Sequence, residues 1–380
     1  MLKKTLLLGV NLALIASLHA CRQKEDPGHS DANGGKEEIT VGAVLPLTGP
    51  VASYGQNAKT GIDLALNEIN SSSLPFTIRV LYEDDSGKVE TALSAAQKLI
   101  STDRVPLIIG EAASGLSLAL APIANQQQVV LFTPISSAAE LTQKGGDFFF
   151  RVCPSDAFQA HDLASWLMER NLKTASVLVI NNGWGTSLKD EFQSSYQKLG
   201  ATIATIQTCN EGDRDFRSHL GKLMQTKPDA IVAFTYGKEG GPFLRQAREL
   251  GVKTPIFGGD VWGSPELVEA AGEAAEGVFF TFPKSPSGKR FEEFAALYRQ
   301  RYQKEPDIYS SYSYDLTYIL SEALKSGART GPQFRDYLHR TEGYEGVTGL
   351  TKFNSKGDVT TKKFSRQTIQ GGKSTQVETR

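Results

Sequence analysis

The chain has 380 residues, 40% hydrophobic and 22% charged, with 41 Lys and Arg against 42 Asp and Glu for a formal net charge of −1. This composition suits a soluble globular protein of two or three domains and excludes a disordered chain, while the even charge balance excludes the strongly basic domain that nucleic-acid binding requires. Three Cys and five His stand at no metal-ligand spacing such as C-x-x-C, and no apolar run after residue 20 reaches the 18 or so residues that span a bilayer, so no metal site and no membrane-spanning body are expected.

Residues 1–20 place Lys3 and Lys4 ahead of an apolar stretch from Leu6 to Leu18, the anatomy of a signal peptide. Leu18-His19-Ala20-Cys21 resembles a bacterial lipobox, with His19 departing from the usual small or aliphatic residue. Lipidation of Cys21 is therefore expected, with an exported, membrane-anchored protein as its consequence. Residues 21–38 are then a polar, Gly-containing tether.

From Ile39 the chain alternates strand-like and helix-like segments. Strands are expected at Ile39–Leu45, Phe76–Tyr82, Leu107–Ile109, Val129–Phe132 and Phe148–Val152. Helices fall at Gln56–Asn70, Val89–Ile100 and Leu116–Asn125, the last interrupted by Pro122. The rhythm then restarts with strands at Ala175–Ile180, Ala201–Thr208, Ala230–Thr235, Ile256–Gly258 and Val278–Phe282, and helices at Ser187–Leu199, Phe216–Gln225 and Pro242–Leu250. Helices at Phe291–Tyr302, Tyr312–Ser326 and Gln333–His339 follow, and 348–370 reads as short strands and turns. Such alternation predicts parallel sheets covered by helices, here as two α/β lobes whose strand carboxyl ends face one cleft.

No catalytic motif emerges. Gly371-Gly372-Lys373-Ser374 has Gln367 where a phosphate-binding loop needs Gly, and no helix follows it. Gly115-Leu116-Ser117-Leu118-Ala119 fails as a nucleophile elbow at its last position. His161, His219 and His339 are scattered over helices. The reading is of a protein that is no enzyme and needs no cofactor.

Several stretches carry a resemblance: LPLTGPVASYGQNAKTG at 45–61, IIGEAAS at 108–114, LFTPISSAAEL at 131–141, FFRVCPSD at 149–156, PDAIVAFT at 228–235 and LRQARELGVKTPIFGGD at 244–260. Their ordered combination after a lipobox is similar to the leucine/isoleucine/valine-binding family of ABC-transporter substrate-binding proteins, over almost all of 39–370. The resemblance implies the type I periplasmic-binding-protein fold, two doubly wound parallel-sheet lobes joined by a three-strand hinge. Lobe one would be 39–154 with 284–363, and lobe two 155–283 with 364–380.

The same resemblance implies an amino acid, aliphatic or branched-chain, as ligand and a membrane permease as partner, with a monomeric binding protein that does no chemistry. Ser114, Ser137 and backbone N–H groups at Ile135 and Ser137 would hold the α-carboxylate, and the residue types agree, since helix starts and hydroxyls favour an anion. Asp260 would meet the α-ammonium, which needs a paired charge when buried. Tyr54, Trp184, Tyr236 and Tyr309 would wall the side chain. A sensor component of the same fold, or uptake of amides, urea or small carboxylates, are the alternatives. A lobe-one disulfide found in some members has no counterpart, while Cys153 and Cys209 are a possible bridge in an oxidising compartment.

Overall fold

The computed structural model describes residues 35–377; the signal peptide and the Cys21 lipidation site lie outside the described residues. From Glu37 onward the described chain forms one body that holds both sheets described below. The first sheet is built from β1 (Glu37–Leu45), β2 (Phe76–Asp84), β3 (Leu107–Gly110), β4 (Val130–Thr133) and β5 (Phe149–Arg151) in the order β2-β1-β3-β4-β5, all parallel. Helices α1 (Ala52–Ser71), α2 (Val89–Ser101), α3 (Ser114–Gln126) and the short α4 (Glu140–Lys144) connect them. Parallel strands need such crossovers, and the helices bury both faces. Accordingly β3 and β4 read LIIG and VLFT, with every residue buried.

After β5 the chain crosses into a second unit. It comprises α5 (Asp156–Glu169), β6 (Thr174–Ile180), α6 (Gly183–Lys198), β7 (Thr202–Cys209), α7 (Arg217–Gln225), β8 (Ala230–Phe234), α8 (Gly237–Glu249), β9 (Ile256–Gly258), α9 (Pro265–Ala271) and β10 (Phe279–Pro283). The chain returns to the first sheet for α10 (Lys289–Tyr302), α11 (Ile308–Lys325) and α12 (Gly331–Arg340), then forms the hairpin β11 (Tyr344–Gly346) and β12 (Gly349–Thr351). It crosses once more to add β13 (Phe364–Gln370) and β14 (Lys373–Gln376) antiparallel to the edge at β10. The second sheet therefore runs β14-β13-β10-β9-β8-β6-β7. Three chain segments link the two units. Lys284 N–H donates to the Lys363 carbonyl at 2.8 Å, and Pro154 bridges to Val359.

Each unit has its own apolar core. One contains Phe132, Phe150 and Leu316, the other Phe192, Phe234 and Trp262. The two cysteines fall one in each core as free, buried thiols. The possible Cys153–Cys209 bridge is therefore not formed: the Cys153 thiol donates to the Ser136 carbonyl and the Cys209 thiol to the Val179 carbonyl. Burial raises both thiols, that of Cys209 to about 12.

Some expected boundaries move. Pro122 does not interrupt α3, which runs unbroken from Ser114 to Gln126; the proline removes one hydrogen bond, and packing of Leu116, Leu120 and Ala124 in the core outweighs it. Helix α8 begins at Gly237, with Pro242 inside it. Gly240 N–H closes the first turn on the Tyr236 carbonyl at 2.8 Å, and at Gly241 a Cβ would sit 2.4 Å from that of Ala270, so α8 lies too close to α9 there for any side chain. Helix α6 starts four residues before its expected Ser187 because the Asn182 side chain accepts from Gly185 N–H at 2.9 Å. Helix α11 starts at Ile308, where Asp307 and Ser310 form a reciprocal cap. Helices α5 and α9 were not among the expected segments.

Candidate ligand-binding site

In a doubly wound sheet the crevice opens where neighbouring strands send their connections to opposite faces. In the first sheet that point lies between β1 and β3, and in the second between β6 and β8. Loops after these strands face one another across a cavity with about 420 Å³ of empty space, counting the part open to solvent. All eight candidate residues line it: Tyr54, Ser114, Ile135, Ser137, Trp184, Tyr236, Asp260 and Tyr309, together with Val51, Ala112, Ala113 and Val261. Their placement has one local cause. Tyr54, Ser114, Trp184, Tyr236 and Tyr309 stand at or within three residues of a helix start, and Asp260 opens a 3-10 turn, Asp260–Gly263, after β9.

On one wall, no side chain caps α3. Leu116 and Ser117 turn their N–H groups back to the Ala113 carbonyl, and among the described residues Ser114 and Gly115 N–H have no acceptor. Ser114 Oγ accepts from Ala138 N–H at 3.2 Å, which leaves its proton for another acceptor. Ser137 N–H is likewise without an acceptor among the described residues. Ile135 departs from expectation. Its N–H is committed to Thr133 Oγ1 at 3.2 Å, beside Ser136 N–H at 3.0 Å, so only its side chain faces the cavity. Three free N–H groups, a free hydroxyl proton and a helix start make this wall a site for an anion.

The opposite wall is acidic. Asp260 is 9% exposed and accepts from Gln159 Nε2 at 3.3 Å. Burial pushes its carboxyl up to about 6, against the opposing pull of Gln159 and of backbone N–H groups. Beneath it lies Asp156, fully buried at the start of α5, with the Ser137 side chain the hydrogen-bonding group beside its carboxyl. Burial first, then the charge of Asp260, hold it well above its ordinary range. Among the described residues, no Lys or Arg lines the cavity. Arg151 pulls on Asp156 from behind, so it is the Asp260 carboxylate, with no cation beside it in the cavity, that makes this wall a site for a positive group. Asp156 and Gln159 were not foreseen. Both lie in α5, which was not among the expected segments although Ala160, Leu163, Ala164 and Leu167 stand at helical spacing, and only the fold brings its start beside Asp260.

Aromatic rings close the remaining sides. Trp184 stacks on Tyr236 with centroids 5.3 Å apart and planes 12° apart, and Asn182 Nδ2 donates to Tyr236 Oη at 3.1 Å. Tyr54 meets Tyr309 edge-on at 5.2 Å and Tyr236 at 6.0 Å. Across the mouth, Gly115 and Gly183 pack backbone to backbone; a Cβ on Gly183 would lie 2.7 Å from Gly115 Cα. Lys238 Nζ reaches from the second unit to the Pro50 carbonyl of the first. The two units therefore meet around the cavity.

Beneath the anion wall, Asp85 and Glu111 form a buried carboxyl pair. Asp85 Oδ1 accepts from Gly87 N–H at 2.7 Å and Glu111 Oε2 from Ala113 N–H at 2.5 Å. Burial leads both carboxyls above the usual range, and for Glu111 the charge of Asp85 adds to it. The pair holds the loop that enters α3.

Among known proteins, residues 38–373 match the family described as periplasmic binding protein. The Leu/Ile/Val-binding protein BraC3 of Rhizobium johnstonii is 29% identical over 350 residues, covering 88% of this chain and 93% of that protein. The crystal structure of a leucine-binding protein LivK from Thermotoga maritima superposes with a TM-score of 0.82 at 30% identity, covering 90% of this chain and 98% of the other. The branched-chain amino-acid transporter substrate-binding protein LivJ of Streptococcus pneumoniae, solved in complex with isoleucine, gives 0.80 at 28% identity, with 90% and 100% covered.

Proposed function

The chain belongs to the periplasmic binding protein family, and from that premise we propose that it binds an α-amino acid in the cleft and hands it to the membrane permease of an ABC transporter. The observation that carries this reading is that one cavity brings free N–H and hydroxyl donors at the start of α3 together with the buried acid Asp260. An α-amino acid presents a carboxylate and an ammonium on adjacent atoms, and it satisfies both walls at once. Ser114, Ser137 and the first N–H groups of α3 receive the carboxylate. Asp260 receives the ammonium, and the rings of Tyr54, Trp184, Tyr236 and Tyr309 enclose the side chain, for which aliphatic and branched-chain groups are the first candidates. The protein binds and releases without altering its ligand, and closure of the two lobes about the linking strands presents a closed form to the permease.

The protein works outside the cytoplasm. Lipidation of Cys21 tethers it to a membrane surface, and Cys21→Ala is expected to release it into the soluble fraction. The binding reading is tested by titration calorimetry of the twenty amino acids, their α-amides and their N-acetyl derivatives. At least one free amino acid is expected to bind, and blocking either end of it to cost tenfold or more in affinity. Equal binding of the blocked and free forms, or binding of none, would overturn it.

A further inference from the structure

Arg151, the last residue of β5, is fully buried and is not among the residues lining the cleft cavity. Its guanidinium nevertheless ends against the loop that forms the anion wall. Nη1 donates to the Ser137 carbonyl at 2.9 Å and to the Ala138 carbonyl at 2.8 Å, and Nη2 donates to Thr142 Oγ1 at 2.6 Å. Nε donates to Asp358 Oδ1 at 2.6 Å. The Ser137 carbonyl takes a second bond, from Asp156 N–H at 2.8 Å. The carbonyl and the N–H of one peptide unit point in opposite directions. Gripping the Ser137 carbonyl from behind therefore directs the N–H of the same unit, that of Ala138, forward. That N–H donates to Ser114 Oγ.

The chain of consequences reaches the ligand. A cation on the carbonyl polarises the peptide and strengthens its N–H as a donor. Because Ser114 Oγ accepts that bond, its own proton is left to point elsewhere, and the open side is the cavity. A Ser114 free to rotate would present a lone pair to an incoming carboxylate as readily as a proton. Asp358 meanwhile adjoins Val359, which bridges to Pro154 in the first linking segment, so the clamp is also fastened to the chain that joins the lobes.

Resting on the amino-acid reading above, we propose that Arg151 is a positioning residue for carboxylate recognition: acting through the Ser137–Ala138 peptide, it fixes the Ser114 hydroxyl as a donor to the ligand. A merely structural arginine would change stability and leave ligand discrimination alone. The test compares the best-binding amino acid with its α-amide, by calorimetry, on the full chain. Arg151→Lys keeps the charge beside Asp358 but gives up the two-carbonyl fork. It is expected to lower affinity for the amino acid at least tenfold and for the amide no more than threefold. Ser114→Ala is expected to cost much less in the Arg151→Lys background than in the parent, since the two act as one unit. Asp358→Asn, which leaves the fork in place, is expected to lower stability and keep affinity within threefold. Should Arg151→Lys not fold, Thr142→Val removes only the Nη2 anchor, and a smaller loss confined to the carboxylate ligand is expected, again non-additive with Ser114→Ala. Equal losses for acid and amide, or strict additivity with Ser114→Ala, would overturn the role of Arg151 while leaving the amino-acid site standing. If the parent binds neither compound, the site reading itself fails.

Discussion

Asp260 is where the cleft's electrostatics become measurable. In the empty cleft its carboxyl sits at about 6 because it is buried. About nine tenths of it is ionised at pH 7 and about one tenth at pH 5, by the ordinary titration relation. Only the ionised form pairs with an ammonium, and the ligand keeps its own charges across this window. Affinity is therefore expected to fall about tenfold from pH 7 to pH 5, about 1.4 kcal/mol. Asp260→Asn removes one partner of a desolvated charged pair, at a cost of about 2–5 kcal/mol, or about thirty-fold to several-thousand-fold. What affinity remains should lose most of its pH dependence, since Asp156 is held well above its ordinary range and stays protonated longer.

The empty protein should respond in the opposite sense. A carboxyl raised from 3.8 to about 6 on folding keeps stability below pH 4 and loses it as pH rises to 6, by roughly 3 kcal/mol at pH 7. Asp260→Asn should thus stabilise the unliganded chain at pH 7 and not at pH 4. The assays are calorimetric titration at pH 5, 6 and 7, and urea denaturation without ligand at pH 4 and 7. An affinity that is flat between pH 5 and 7 in the parent, or an Asn variant within threefold of it, would show that Asp260 does not hold the ammonium.

Gly183→Ala sets a Cβ 2.7 Å from Gly115 Cα, so the fold should survive while closure is obstructed. Affinity should drop about tenfold or more, in proportion to the lost closed population, and small-angle scattering of the liganded variant should show a larger radius of gyration than the liganded parent. Glu111→Gln keeps an acceptor for Ala113 N–H and removes one of two facing buried acids. Because the native pair is raised above the usual carboxylate range, its cost grows as pH rises, and the variant's gain in urea stability should be larger at pH 8 than at pH 5. Cys153 and Cys209 should both titrate as free thiols after denaturation without reductant, and both should be slow to react in the native protein, where burial suppresses the thiolate.

What sequence alone determined is what short-range pattern encodes. Buried parallel strands must be apolar runs, and amphipathic helices must separate them. The segments LIIG, VLFT and AIVAF therefore announced their strands, and their rhythm announced an α/β protein in two units. Site positions were legible through family resemblance, because loops after such strands begin helices at the cleft. The rest depended on atoms distant along the chain. Asp156 closes the stretch FFRVCPSD with no role of its own until β9 carries Asp260 beside it. Cys153 and Cys209 read as a potential bridge until each enters a different core. Arg151 reads as a charge at a strand end; only when Asp358, 207 positions on, comes to meet it does its guanidinium turn on the Ser137–Ala138 peptide. In each case the deciding term is a buried charge or a committed hydrogen bond between segments far apart in sequence, and its energy exists only once the tertiary structure has removed the water between them.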